Sequence, residues 1–270
     1  MNEILPGQST ELLKELHILT RDGKLNQDSK RKLKQVHHLC QFIEPLIKET
    51  GPDVTVVDHG AGKSYLGFIL YDLYLKNVSG KKHIYGIETR DELVTKSKEL
   101  AAKCKFPYMT FLNLSVEESI HSDKLPEQID IVTALHACNT ATDDAIAFAL
   151  KKKAGHIVLV PCCQAEMASV LRKNKNRDLG RTAMSEIWRH PIHTREFGSH
   201  LTNVLRCLQL EAHGYQVTVT ELVGWEHSMK NELIVASYKN LPGKKAADRL
   251  NQILLEMGLD EMSARFFIEP

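Results

Sequence analysis

An acidic residue and two glycines stand close together in the stretch VVDHGAGKSYLG, residues 56–67. Asp58 ends a run of mostly β-branched residues, and Gly60 and Gly62 follow it before an apolar segment. This pattern predicts a β-strand, a tight turn and a helix. Because glycines in such a turn let the backbone come close to a ligand, the pattern predicts a ligand site at the end of the first strand.

The same stretch does not fit the two common phosphate-binding motifs. The first glycine of a P-loop that ended at Lys63-Ser64 would fall on Val57, which belongs to the predicted strand. A dinucleotide-binding G-x-G-x-x-G motif that began at Gly60 would need a glycine where Tyr65 stands. The remaining pattern, D-x-G-x-G, is typical of proteins that bind S-adenosylmethionine (SAM), and we predict SAM as the cofactor.

A second acidic residue, Glu88, ends the next predicted strand, one βαβ unit after Asp58. A carboxylate at Asp58 can bind the amino group of SAM, and one at Glu88 can accept hydrogen bonds from both ribose hydroxyls. The candidates for contact with the adenine edge are Asn113 and Ser115. The alternative is that Asp58 caps the following helix and Glu88 is a solvated strand end. The predicted cofactor-binding residues are Asp58, Gly60, Ala61, Gly62, Glu88, Asn113, Ser115 and His136.

Strand-like and helix-like segments alternate between residues 54 and 163. This alternation predicts βαβ units and a parallel, doubly wound sheet, whose ligand lies beyond the carboxyl ends of the strands. Two further strand-like segments, 216–224 and 231–239, are joined by a short link that suits an antiparallel pair. We therefore expect an α/β, Rossmann-like fold with a doubly wound, mostly parallel seven-stranded sheet, an antiparallel last strand and an N-terminal helical extension.

Three regions are predicted along the chain. A helical extension covers residues 1–50, in which Asp28-Ser29 is the predicted N-cap of a long amphipathic helix that Gly51-Pro52 ends. The main α/β domain covers residues 51–240, with an insert or lid at about 165–198, and a helical tail covers residues 241–270.

The composition is that of an ordinary globular chain of 270 residues, 43% hydrophobic and with a formal net charge of +1. No apolar stretch approaches the roughly 18 residues of a membrane span, and the start lacks the features of a signal peptide. The six cysteines have no C-x-x-C spacing, which favours a reduced compartment. We expect a cytoplasmic protein without membrane association.

The fourth and fifth predicted strands end in ALHACNTATDDAI and VPCCQ, and their ends face the same crevice as Asp58 and Glu88. Together with DHGAGKSYLG and the late ELVGWEHSMKNELIVA, these segments resemble a family of class I SAM-dependent methyltransferases. Its domain also occurs in a vertebrate protein that carries a glutathione S-transferase C-terminal domain. The resemblance covers most of residues 28–240, and it implies that residues 51–240 form a SAM-dependent methyltransferase domain.

A more distant resemblance is to the tRNA 2′-O-methyltransferases that modify the acceptor stem. The helix KRKLKQVHHL is similar to their lysine-rich helix, and strand four is similar to their histidine- and cysteine-containing strand. Those enzymes carry Cys-Cys-His-His where this chain has Cys162-Cys163-Gln164-Ala165, so this chain departs from them by the loss of both histidines. The family resemblance makes Lys230 and Asn231 candidates for substrate contact, together with Gln164. The alternative for Lys230 and Asn231 is a solvated hairpin loop.

Three chemistries remain open for the predicted catalytic residues. His136 can act as a base or orienting group, or only cap the next helix. A thiolate of Cys162 or Cys163 can add to a pyrimidine to activate its C5 carbon, or the pair can pack as small hydrophobes. Zinc binding has the right residue types but no metal-binding spacing, so no metal is expected. The predicted catalytic residues are His136, Cys138, Cys162 and Cys163.

Two basic tracts, at residues 30–34 and 172–181, can flank the crevice and follow a phosphate backbone. The expected function is methyl transfer from SAM to RNA, either tRNA or rRNA, by direct in-line transfer to an oxygen, nitrogen or carbon acceptor. The alternatives are a small-molecule or protein acceptor, or a SAM- or RNA-binding module without turnover. A redox or metal protein that uses the cysteine pair is a further alternative.

Overall fold

The computed structural model describes residues 4–135, 140–161, 165–173, 183–222 and 232–266. Helices and strands alternate along the chain. The helices are α1 (Thr10–Glu15), α2 (Gln27–Thr50), α3 (Tyr65–Leu70, continued by a π-helical turn at Tyr71–Leu75), α4 (Asp91–Lys103), α5 (Val116–His121), α6 (Ala141–Lys151), α7 (Ala165–Lys173), α8 (Pro191–Ala212), α9 (Lys244–Glu256) and α10 (Ser263–Phe266). Two 3₁₀ helices lie at Ala183–Trp188 and Asp260–Met262. The strands are β1 (Thr55–His59), β2 (His83–Glu88), β3 (Met109–Asn113), β4 (Ile131–Leu135), β5 (His156–Val160), β6 (Tyr215–Glu221) and β7 (Glu232–Tyr238).

The strands form one seven-stranded sheet in the order β3-β2-β1-β4-β5-β7-β6. Strands β1 to β5 pair in parallel, and β7 runs antiparallel to both β5 and β6. The chain winds in one direction from β1 to β3 and in the other from β4 onward, which opens a crevice between the carboxyl ends of β1 and β4. The predicted Rossmann-like, doubly wound fold with an antiparallel last strand is confirmed.

Alternate residues of the central strands enter two apolar clusters, one on each face of the sheet. Val56 of β1 packs in a cluster that also contains buried residues of α2 and α3, whereas Val57 packs with α6 and β5 on the opposite face. Because both faces of a doubly wound sheet are covered, these strands are almost wholly apolar. Helices α1 and α2 therefore share a continuous core with the sheet.

One detail of the predicted elements is wrong. Helix α2 begins after Asn26, whose side chain accepts a hydrogen bond from the Ser29 backbone amide at 2.7 Å, so the predicted cap pair Asp28-Ser29 lies inside the helix. Helix α8 starts at Pro191, since proline suits the first helical turn, and so begins inside the predicted insert of residues 165–198. The short helix α5 lies between β3 and β4, in the region where strand-like and helix-like segments were predicted to alternate. Among the helices of the described segments, none combines the length and the apolarity that crossing a bilayer requires.

A third apolar cluster joins α7 and α8 to the C-terminal helices. Its buried members include Met167 of α7, Leu205 of α8, Leu254 of α9 and Phe266 of α10. The close approach of α7 and α8 depends on Gly198, where a side-chain carbon would lie 2.9 Å from the backbone nitrogen of Ala168. The C-terminal tail is therefore packed onto the helices of the predicted insert.

The variant Gly198→Val tests this contact. We expect it to lower the free energy of unfolding by about 2 kcal/mol, because the backbone of α7 must move to accept the added carbons. The matched variant His200→Ala, at an exposed position on the same helix, should change stability by less than about 0.5 kcal/mol. Urea unfolding measures both, and equal stability of the two variants would contradict the close packing.

Candidate cofactor and acceptor site

The carboxyl ends of β1 and β4 bring Asp58 and Thr133 together at the crevice. Asp58 is 3% exposed, and its Oδ1 accepts a hydrogen bond from the Thr133 hydroxyl at 3.0 Å. Burial raises the pKa of Asp58 to about 7, against the opposing effect of the Thr133 and Ser64 hydroxyls. The Ser64 hydroxyl lies near Asp58 but completes no hydrogen bond within the described part of the chain. Asp58 is thus a buried acid that a nearby cation would ionise fully.

The turn after β1 has a backbone that favours glycine. Gly60 and Gly62 have φ values of 68° and 58°, and Ser64 also lies in the left-handed region with φ 52°. The Ala61 amide donates to the Ile87 carbonyl at 2.9 Å, which ties the turn to the end of β2. The turn therefore follows β1 directly and is bonded to the end of β2. Its two glycines have no side chains that would keep a ligand away from the backbone.

Glu88, at the end of β2, accepts hydrogen bonds from both neighbouring segments. Its Oε2 accepts from the Gly62 amide at 2.9 Å and from Arg90 Nη2 at 3.1 Å, and its Oε1 accepts from the Arg90 amide and Nε, both at 3.0 Å. Burial raises the pKa of Glu88, but the bonds and charge of Arg90, with the Gly62 amide, lower it to about 2 overall. Glu88 is thus ionised at neutral pH and holds the glycine turn against β2.

The guanidinium of Arg90 occupies the acceptor sites of Glu88 that a ligand would use. A carboxylate has about four lone-pair positions, and the contacts from Gly62, Thr89 and Arg90 already fill them. The side chain of Arg90 is 63% exposed, so it can move away at little cost. Two ligand hydroxyls can therefore bind Glu88 by displacing this side chain.

Asn113 and Ser115, the predicted adenine contacts, are exposed at the end of β3 and start of α5. The Asn113 side-chain amide donates to the carbonyls of Glu88 and Thr89, at 3.0 Å and 2.8 Å, and so fixes the end of β2. Ser115 forms a capping box with Glu118, since each side chain bonds the other's backbone amide. Each of the two residues thus has a structural partner of its own at the carboxyl edge of the sheet.

His59 is a buried imidazole beside this site. It is 5% exposed, and its ring centroid lies 5.3 Å from that of Phe148. Neither ring nitrogen has a hydrogen-bond partner among the described residues. Burial lowers the pKa of His59 to about 4, against the opposing charge of Glu88, so the ring is neutral.

The predicted acceptor-side residues lie outside the described residues. They are the catalytic candidates His136, Cys138, Cys162 and Cys163 and the substrate candidates Gln164, Lys230 and Asn231. His136 was also a predicted cofactor contact, and the four sulfur and imidazole groups of the zinc hypothesis belong to the same set. Within the described segments, no three His, Cys, Asp or Glu side chains are grouped so that they could hold a metal ion.

Sequence reasoning missed Arg90 and Thr133. Arg90 stands two residues after Glu88, and a basic residue so close to a predicted strand-end acid was an available signal. Thr133 was a visible polar exception in the apolar strand IVTAL. Its contact with Asp58 depends on the parallel pairing of β1 and β4, in which Asp58 stands opposite Thr133.

The site suits a ligand that carries a pair of hydroxyls and a cationic group. Glu88 supplies an ionised acceptor for the hydroxyls, the glycine turn lets the ligand approach the backbone, and Asp58 supplies an acid that a cation would ionise. The guanidinium of Arg90 lies beside Gly62, and it is already paired with Glu88. The residues present therefore fit the ribose and the ammonium group of SAM.

Comparison with solved structures agrees with the fold. The crystal structure of magnesium protoporphyrin IX methyltransferase from Synechocystis PCC 6803 with bound SAH superposes with a TM-score of 0.50 at 16% sequence identity. The match covers 86% of this chain and 96% of that chain.

Curated relatives are similar over a comparable part of the chain. The glutathione S-transferase C-terminal domain-containing proteins of Bos taurus and Xenopus laevis are each 23% identical over 80% of this chain. The chain spans only about a third of their length, 34% and 36% respectively.

A family model described as a methyltransferase domain matches residues 31–170. This match extends from the start of α2 through β1 to β5 and into α7, and so includes Asp58, the glycine turn and Glu88. Because it covers just over half of the 270 residues, the chain belongs to this family of methyltransferase domains.

Proposed function

We propose that this protein is a SAM-dependent methyltransferase that methylates RNA. The SAM-dependent activity is inferred from one observation. Asp58, the Gly60–Gly62 turn and the ionised carboxylate of Glu88 lie together at the switch point of the sheet. Membership of the methyltransferase-domain family supports the reaction class. The cofactor is SAM, whose ribose hydroxyls and ammonium group match the acids present.

The protein's part in the reaction is to bind and align. SAM supplies a methyl group on a positively charged sulfur, which an acceptor lone pair attacks in line. Glu88 would hold the ribose and Asp58 the ammonium end, so the two acids would orient the cofactor at the carboxyl ends of the strands. Fixing both ends removes the entropic cost of aligning the methyl group with the acceptor. In the proposed reaction, the predicted base His136 removes the proton of the acceptor.

The RNA assignment is supported by local basic charge. Lys30, Arg31, Lys32 and Lys34 are exposed on the first turns of α2, and Arg172 and Lys173 are exposed at the end of α7. The formal net charge of the whole chain is only +1, so these two tracts are more basic than the chain as a whole. Clustered Lys and Arg side chains are the usual means of following a phosphate backbone.

Substitution of Glu88 tests the cofactor site. We expect Glu88→Ala to weaken SAM binding about 10- to 100-fold, because the ribose hydroxyls lose a charged acceptor. The matched variant Arg90→Ala should bind SAM at least as well as wild type, since it removes the group that occupies Glu88. Isothermal calorimetry on both variants, with circular dichroism to verify folding, gives the comparison. Equal weakening by both variants would contradict the displacement of Arg90.

The raised pKa of Asp58 predicts a pH dependence of SAM binding. As the pH rises from about 5.5 to 7, Asp58 gains negative charge and should bind the ammonium group several-fold more tightly. Glu88 and His59, with pKa values of about 2 and 4, do not titrate in this range. The dependence should vanish in Asp58→Asn, and also for 5′-methylthioadenosine, which lacks the ammonium group. Calorimetry across this range measures it, and a flat wild-type profile for SAM would contradict the role.

Transfer of radiolabelled methyl from SAM to cell extract tests the RNA assignment. The extract of a strain that lacks the gene is divided into RNA, protein and small-molecule fractions. We expect label in the RNA fraction with wild-type protein and its loss with Glu88→Ala. A charge-neutralised α2 variant, Lys30→Gln with Arg31→Gln and Lys32→Gln, should keep SAM affinity and lose RNA labelling. Label confined to protein or small molecules would overturn the RNA assignment and leave the cofactor assignment in place.

A further inference from the structure

Three acidic residues stand at the start of the three elements that follow the predicted acceptor-side segments. Asp143 lies in the first turn of α6, Glu166 in the first turn of α7, and Glu232 is the first residue of β7. In sequence, they follow the segments that carry His136 and Cys138, Cys162 to Gln164, and Lys230 and Asn231 respectively. Each acid thus stands within five residues of one of these segments in the sequence.

Two arginines from the C-terminal half of the chain bind these acids, either directly or through Asn203. Arg206 of α8 donates from Nε to Asp143 Oδ1 at 2.5 Å and from Nη1 to Asn203 Oδ1 at 3.2 Å. The Asn203 amide donates in turn to Glu232 Oε2 at 2.8 Å. One arginine therefore connects the start of α6 with the start of β7.

Arg265 of α10 makes the second connection. Its Nη2 donates to Glu166 Oε2 at 2.7 Å, and its Nε lies 3.8 Å from Asp143 Oδ2. That oxygen of Asp143 has no hydrogen bond within the described residues, so Arg265 provides the nearby positive charge. The same guanidinium therefore joins the start of α7 to the start of α6.

The arginines and Asp143 lie largely shielded from water, where charges interact strongly. The Arg206 side chain is 1% exposed and that of Asp143 is 7% exposed, while Arg265 is 22% exposed. Charged groups this deep are held only when they are paired. Such a pairing costs desolvation and adds little net stability compared with an apolar core, so it favours a role in positioning.

We propose that Arg206 and Arg265 are positioning residues for methyl transfer, which hold the acceptor side of the crevice in one arrangement. Through Asp143, Glu166 and Glu232, they fix the starts of α6, α7 and β7 relative to one another. The C-terminal helix α10 then contributes to methyl transfer through Arg265. The cofactor acids Asp58 and Glu88 have separate partners, so this arrangement can be disturbed without loss of SAM binding. The proposal rests on the proposed methyltransferase function.

Charge reversal at the Arg265–Glu166 pair tests the proposal, because the two side chains are 22% and 48% exposed, and circular dichroism verifies that each variant folds. Arg265→Glu should lower kcat/KM for methyl transfer about 10- to 100-fold, mainly through kcat, and leave the Kd for SAM within about two-fold of wild type. Adding Glu166→Arg restores the opposite charges at this pair and should recover part of the activity, since Asp143 still lacks the positive charge of Arg265. Arg249→Glu, an exposed position on α9 with the same change of charge, should behave as wild type.

Hydrogen exchange provides a readout that does not depend on the acceptor. In Arg265→Glu, we expect faster exchange at the starts of both α6 and α7, with no change in β1 and β2, and recovery in the double variant. Faster exchange in α10 alone, or transfer that stays at the wild-type rate, would overturn the proposal. So would failure of Glu166→Arg to restore the single variant. If wild-type protein labels no fraction, the proposed function fails, and the exchange pattern still decides whether Arg265 joins the starts of α6 and α7.

Discussion

The hydrogen bonds between the Gly62 amide, the Glu88 carboxylate and the Arg90 guanidinium connect the ends of the first two strands. Gly62 has no side chain of its own, so the Glu88 carboxylate and the bond from the Ala61 amide to the Ile87 carbonyl together fix the turn to β2. The same carboxylate is the group best placed to accept ribose hydroxyls. Local structure therefore depends on one ionised acid, which Arg90 and the Gly62 amide keep charged, and the proposed cofactor binding depends on the same acid.

The crevice divides into two halves with different physical support. The cofactor half is built mainly from backbone turns at β1 and β2, whose register is set by parallel pairing. The acceptor half begins where α6, α7 and β7 start, and its charges are joined by Arg206 and Arg265.

The sheet and the cofactor acids could be predicted because short-range patterns encode them. Strand ends, the D-x-G-x-G turn and the spacing to Glu88 follow from neighbours in sequence. The bond from Thr133 to Asp58 and the pairing of Arg206 with Asp143 join residues far apart in the chain, so they depend on the completed fold. The capping role of Ser115 depends on α5, a helix too short for its periodicity to be recognised. The acceptor residues predicted from the resemblance remain predictions.

The account depends most on Glu88 as the acceptor of the ribose hydroxyls, and one calorimetric comparison addresses this directly. S-adenosylhomocysteine and its 2′-deoxy analogue are each titrated into wild-type protein and Glu88→Ala. If Glu88 accepts the 2′-hydroxyl, the analogue should bind wild type about ten-fold more weakly, and the two ligands should bind the variant almost equally. The same penalty in both proteins would contradict the account, because the hydroxyl would then have its partner elsewhere.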